Sequence, residues 1–446
     1  MATLTDRRLA ATRVKATALR TELAAWRAAS EAGAPLEKHH SQVRRIAAAM
    51  DGLLDRIGDV AGPLALSRLR AREEQLLTAH TVWDFFRGKL AQRLDATFSD
   101  HLRVCDDLAW NCYAPARKQF LAAAPAAGPA RRMKEPPLVF LNAGWSPFAM
   151  GRDEAFQVDR AAGGWLAQED FRAVIDRLPV PLIGLPWYQV AHLPDVLVTA
   201  HEVGHVVEWD FGLRADLCSV IADIDLPADR SEAWTAWQPE VFADVYGCLA
   251  CGPAFVGALL DFFAADPGRI ATERRNAGAW GVYPPAWLRL SVLVEALRLL
   301  GFGEDADDLG TRWTDSYGTP TQNVEFVGDA GRIASALLGC TCTPLGVEMR
   351  AILPTFPPVD RAVATNISRG YDPGTEDTRV LLAASRRLWE RDPDAYVAQG
   401  HDARIRGLVH VSPGTRRGSE SAELSAQEQA DRDDAAALFD ALFPEP

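Results

Sequence analysis

LPDVLVTAHEVGHVVEW, residues 193–209, sets His201, Glu202 and His205 in an apolar stretch whose spacing predicts a helix. Positions i and i+4 of a helix share a face, so the two imidazoles can meet one metal ion while Glu202 reaches a water bound to it. Pro194, just ahead of Asp195, is expected to start that helix. Gly204 costs it about 1 kcal/mol relative to Ala, which predicts that something packs close at that point. The bland reading, two satisfied surface histidines and a solvated Glu, is the weaker one in a chain with only nine histidines.

A catalytic zinc site takes three protein ligands and keeps one position open for water, so a third ligand is needed. Downstream, SEAWTAWQPEVFADVYGCLAC (231–251) places Glu240 and Asp244 at i and i+4 on a helix that Pro239 is expected to start. Glu208 lies three residues past His205 but faces away from a metal held by both imidazoles. Asp315, in GTRWTDSYG (310–318), is a further candidate about a hundred residues from His205.

His-Glu-x-x-His is the zincin motif. A metzincin would continue with Gly and His where this chain has Glu208 and Phe211, so that class is excluded. With its downstream Glu-x-x-x-Asp, the stretch from about Val180 to Leu290 resembles the gluzincins, the thermolysin-like zinc metallopeptidases. The resemblance implies that Glu240 completes a zinc site with His201 and His205. It also implies that Asp244 holds an imidazole, that of His201, in its metal-binding tautomer. The segment around Asp315 resembles the aspzincin signature, with its Asp one residue late. YPPAWLRL (283–290) resembles the HPPxxxR stretch of several HExxH families, with Tyr283 in place of His and Arg289 retained. Tyr283 is therefore the first candidate for the oxyanion donor and Tyr317 the second. VPLIGLP (180–186) lies where such folds have an edge strand that pairs with substrate, so Leu182, Ile183 and Gly184 are expected at that edge, with PLVFLNAGW (137–145) as runner-up.

Around this centre, residues 1–122 are rich in Ala, Leu, Arg and Glu at helical spacing, with breaks at Gly33 to Pro35 and at Gly62 to Pro63. They predict an N-terminal all-helical bundle. Residues 123–137 read as a linker and 138–410 as the metallopeptidase domain, with a helical C-terminal part. Residues 411–446 read as a connector and an amphipathic helix, opened by Ser425 with Glu428 as a capping box and expected to dock on the protein itself. The expected fold is mainly α with a small β-sheet, an α+β zincin-like catalytic domain behind the bundle.

The 446 residues carry 47 basic and 60 acidic side chains, a net charge of −13, which argues against a nucleic-acid footprint. No membrane span is expected. Seven cysteines do not make a disulfide scaffold, and a reducing cytoplasm is the expected location, although the arginine-rich first helix has a composition shared with organelle presequences. Cys248 and Cys251, and likewise Cys340 and Cys342, are read as packing residues rather than a second zinc site. The expected activity is zinc-dependent hydrolysis of peptide bonds in a peptide or protein substrate, with Glu202 as general base. The alternative is a non-catalytic zincin-fold scaffold acting through its helical N-terminal region, which could also bind a partner or self-associate.

Overall fold

The computed structural model describes residues 2–58, 66–123, 135–150, 180–270, 275–276, 279–319, 324–411 and 421–442. The longer elements are α1 (Leu4–Ala29), α2 (His40–Gly58), α3 (Leu66–Ala91), α4 (Ser99–Ala122), β1 (Leu138–Asn142), β2 (Phe148–Met150) and β3 (Leu182–Pro186). They continue with α5 (Thr199–Phe211), α6 (Arg214–Ala222), α7 (Ala228–Phe263), α8 (Ala286–Leu299), α9 (Gly303–Tyr317) and α10 (Ala330–Leu338). The last are α11 (Asp360–Ser368), α12 (Thr378–Arg391), α13 (His401–Val411) and α14 (Ser421–Leu442). The fold is mainly helical with small sheets, as expected.

The N-terminal sequence forms long helices because Ala, Leu, Arg and Glu lose little side-chain freedom in them. A capping box starts α1: the Thr3 hydroxyl accepts the Asp6 N–H at 3.1 Å, and the Asp6 carboxylate accepts the Thr3 N–H at 2.9 Å. Gly33 to Pro35 falls between α1 and α2, whereas Gly62 and Pro63 lie outside the described residues.

Packing groups the elements differently from their order along the chain. α1, α2, α3 and α14 share one apolar core, to which α14 contributes Ala435, Leu438 and Phe439. α4 belongs to the larger core, where Leu108, Cys112 and Tyr113 pack with α5 and α7. The three-stranded sheet is the wall between them. Its strands alternate faces, Leu138, Phe140 and Leu182 toward the bundle and Val139, Ile183 and Leu185 toward the larger core. Burial on both faces is why β3 reads as a continuous apolar run.

Buried ion pairs fix the terminal helix. The Arg45 Nε donates to Asp431 Oδ2 at 2.6 Å and its Nη2 donates to Oδ1 at 3.0 Å, while Glu135 lies 3.4 Å from Nη1. Beside it, Arg44 donates two hydrogen bonds to Glu428, both at 2.7 Å. The helix starts at Ser421 rather than at Ser425, so Glu428 is not a capping residue; its carboxylate serves the Arg44 fork instead. At Gly52 a Cβ would stand 2.2 Å from the Arg432 carbonyl oxygen, so only glycine lets α14 approach α2 this closely.

Among the described residues, α7 alone is long and apolar enough to cross a membrane, but most of it is buried in the larger core, as a central helix of the fold must be. It bends at Gly252, whose φ of 58° is open to glycine, with Pro253 following. Cys248, Cys251, Cys340 and Cys342 are buried, and among the described residues none joins a metal-type cluster.

Candidate metal centre

Pro194 opens only a short helical turn, Leu193–Val196; the motif helix α5 begins at Thr199. It ends at Gly212, whose left-handed φ of 67° lets its N–H reach back to the Glu208 and Trp209 carbonyls. α7 starts at Ala228 after Pro227, so Pro239 lies inside the helix instead of opening it. Pro239 removes one N–H from the ladder. The helix nevertheless runs on through it, with Trp234 and Trp237 before it and Glu240 after it all buried.

α5 crosses α7 at Gly204. A Cβ there would lie 2.9 Å from the Ala243 Cα and 3.1 Å from the Tyr246 Cβ, which is the close packing the glycine forecast. The crossing brings His201 and His205 over Glu240. Their Nε2 atoms are 3.1 Å apart, His201 Nε2 lies 3.5 Å from Glu240 Oε2, and His205 Nε2 lies 3.4 Å from Glu240 Oε1. Ligands about 2.05 Å from a tetrahedral cation stand about 3.3 Å from one another, so this spacing fits one metal ion. His201 also has an outer partner of the kind a metal-bound imidazole takes, whereas the buried His205 Nδ1 has no hydrogen-bond partner among the described residues. Asp244 Oδ1 lies 2.9 Å from His201 Nδ1, where it accepts the Nδ1–H hydrogen bond and so favours the tautomer whose Nε2 can face a metal. The three residues are buried and form a candidate metal site.

Arg289, from the first turn of α8, completes the electrostatics. Its Nε donates to Asp244 Oδ2 at 2.7 Å, its Nη2 to Asp244 Oδ1 at 2.8 Å, and its Nη1 lies 3.3 Å from Glu240 Oε2. Burial pushes both carboxyls up, but Arg289 and the imidazoles outweigh it, holding Glu240 well below the usual carboxylate range and Asp244 below it. His201 shows the reverse balance: burial disfavours its charge, yet hydrogen bonds to Asp244 and Glu240 raise it to about 10 in the ion-free protein. Burial raises Glu202 above the usual range; Glu240 adds to this, and both histidines and Arg289 oppose it. A carboxyl so placed takes up a proton more readily than one in water.

The cluster forms the floor of a cleft of about 610 Å³, counting its open mouth. Glu202, Tyr283 and Arg289 line this cleft with the triad. Tyr317 is elsewhere: its ring packs on Trp313, its hydroxyl accepts the Ala265 N–H at 3.2 Å, and it is absent from the cleft lining. Glu208 is buried against Gln238, whose Nε2 donates to it at 3.2 Å, and Asp315 is exposed on α9, so neither alternative third ligand joins the cluster.

The edge-strand expectation needs correction. β3 is the central strand, parallel to β1 and antiparallel to β2, so Leu182, Ile183 and Gly184 are buried between neighbours and offer no edge. Among the described residues β1, the runner-up, is an outer strand on the far side from β2. β2 is the strand beside the cleft: Phe148 and Ala149 line it, and among the described residues β2 pairs only with β3. Three residues give too short an alternation to read from sequence. Trp209, one turn beyond His205 and stacked on its ring at 5.5 Å, was also missed, as was the Arg289 bridge, for which only the resemblance gave a signal.

No known family model, no curated protein and no solved structure matches this chain.

Proposed function

We propose that this chain is a zinc-dependent metallopeptidase. The observation that carries the reading is the convergence of two imidazoles and a carboxylate at tetrahedral spacing, with a buried glutamate of raised proton affinity in the same cleft. A structural site needs no such base.

His201, His205 and Glu240 would hold the ion. Zinc, when bound, supplies a Lewis acid that lowers the pKa of a bound water and polarises the scissile carbonyl. Glu202 takes a proton from the attacking water and returns it to the leaving amine. Asp244 keeps His201 in the tautomer with Nε2 free. Tyr283, half-exposed at the cleft mouth, donates to the oxyanion as charge develops. An extended peptide lies along β2, and the protein works in a reducing cytoplasm.

The test is turnover of a quenched-fluorescence peptide library by zinc-loaded protein and by Glu202→Gln. The variant is expected to keep its zinc and lose roughly 10²–10⁴-fold in rate. Intact protein that binds zinc and cleaves nothing would support the scaffold reading instead.

A further inference from the structure

Next to the metal cleft lies a second, larger chamber of about 990 Å³ counting its mouth, and Val198 and Phe262 line both. It is therefore in line for a substrate side chain adjoining the reacting bond. Its walls are aromatic: Phe262, Trp389, Tyr188 and Trp145, the last 82% exposed and held against Tyr188, whose hydroxyl donates to the Trp145 carbonyl. Its charged groups are acidic. Asp195 uses Oδ2 for His192 Nδ1 at 3.0 Å, and Asp261 uses Oδ2 for Arg386 at 2.7 Å, while no Lys or Arg lines the chamber among the described residues. Gln189 also lines it, 5% exposed, and its Oε1 has no hydrogen-bond partner; the His192 Nε2 has none either. Aromatic faces, two carboxylates and an unpartnered buried carbonyl ask for a ligand that is flat or extended, cationic and rich in N–H donors.

We propose that this chamber is a specificity pocket for a basic substrate side chain, arginine or lysine, whose charge is met by Asp195 and Asp261 and whose stem or guanidinium packs on the aromatic walls. The proposal rests on the peptidase reading for its purpose, but the pocket can be tested without turnover.

The probes are N-acetylated, C-amidated peptides identical except for one Arg, its neutral isostere citrulline, or Leu, with binding measured by calorimetry on full-length zinc-loaded Glu202→Gln. The Arg peptide is expected to bind at least tenfold tighter than the citrulline peptide, about 1.4 kcal/mol. Asp195→Asn should erase most of that difference. Trp145→Ala, at an exposed position whose loss leaves the fold intact, should weaken the Arg peptide severalfold while thermal unfolding is unchanged. Equal binding of the Arg and citrulline peptides, or tighter binding of the Leu peptide, overturns the pocket. Blocked termini separate side-chain recognition from capture of a free amino group: a preference seen only with free N-termini also overturns it. Arginine preference in a protein that cleaves no peptide would refute the peptidase reading and leave the pocket, whereas cleavage with no basic preference would do the reverse.

Discussion

Gly204→Ala tests how the fold builds the site. The added Cβ would meet the Ala243 Cα at 2.9 Å and the Tyr246 Cβ at 3.1 Å. Carbon atoms rest at about 3.5–4.0 Å, so α5 and α7 must part by roughly 0.6 Å or more. Because α5 carries both histidines and α7 carries Glu240, parting the two helices is expected to widen the 3.4 and 3.5 Å gaps that suit a single small cation. Overpacking costs about 1–3 kcal/mol. Alanine in a helix returns about 1 kcal/mol, leaving a net loss of roughly 0–2 kcal/mol. Metal affinity should fall at least tenfold, about 1.4 kcal/mol. Urea unfolding and zinc titration against a chelating dye read the two quantities separately. Gly407→Ala is the control: it sits in α13, where an added Cβ would meet nothing within 4 Å, so it should gain stability by the propensity term alone. A Gly204→Ala protein that gained stability as Gly407→Ala does, with unchanged zinc affinity, would show that the close crossing does not set the ligand spacing.

Other consequences follow from buried charge and from titration. Arg45→Leu leaves Asp431 and Glu135 buried without their cation and should cost about 3–5 kcal/mol, with hydrogen exchange rising first in α14; a loss below about 1 kcal/mol contradicts this. Arg289→Met strips the counter-charge from Asp244 and Glu240, and should destabilise the ion-free protein by a similar amount while added zinc restores part of the loss, because a cation between the ligands replaces the lost one. Ion-free protein should also be less stable at high pH. His201 is raised from 6.5 to about 10 on folding, so its contribution is complete below about pH 6.5 and lost as pH climbs toward 10. Glu240 and Asp244 are lowered, so theirs is present above the ordinary carboxylate range and lost in acid. Unfolding curves at pH 6 and pH 10 should show the alkaline loss, and ion-free protein more stable at pH 10 would contradict the sign.

What could be read from sequence was local. His201, Glu202 and His205 are set by helical spacing over five residues, and Glu240 with Asp244 by the same rule, so no tertiary knowledge was required to pair them. Gly204 forecast a close neighbour without saying which one. β1 and β3 announced themselves as apolar runs, but the order of strands depends on contacts between distant segments, and so the edge was assigned to β3 when β2 holds it. The docking of α14 on α2 spans almost the whole chain, and its partners Arg44, Arg45 and Gly52 carry no sign of it in their own neighbourhood. Pro239 misled because a proline usually marks a boundary, whereas here the helix continues through it.

If α5 and α7 cross as they do in order to hold one metal ion, crystals of zinc-loaded protein, with anomalous diffraction recorded on both sides of the zinc edge, will show it. A single strong peak is expected about 2.0–2.2 Å from His201 Nε2, His205 Nε2 and a Glu240 oxygen, with Asp244 still on His201 Nδ1. A map with no peak among these atoms, or one in which Glu240 remains bound only to Arg289 while zinc sits elsewhere, would leave the crossing without a metal to hold and the peptidase reading without its centre.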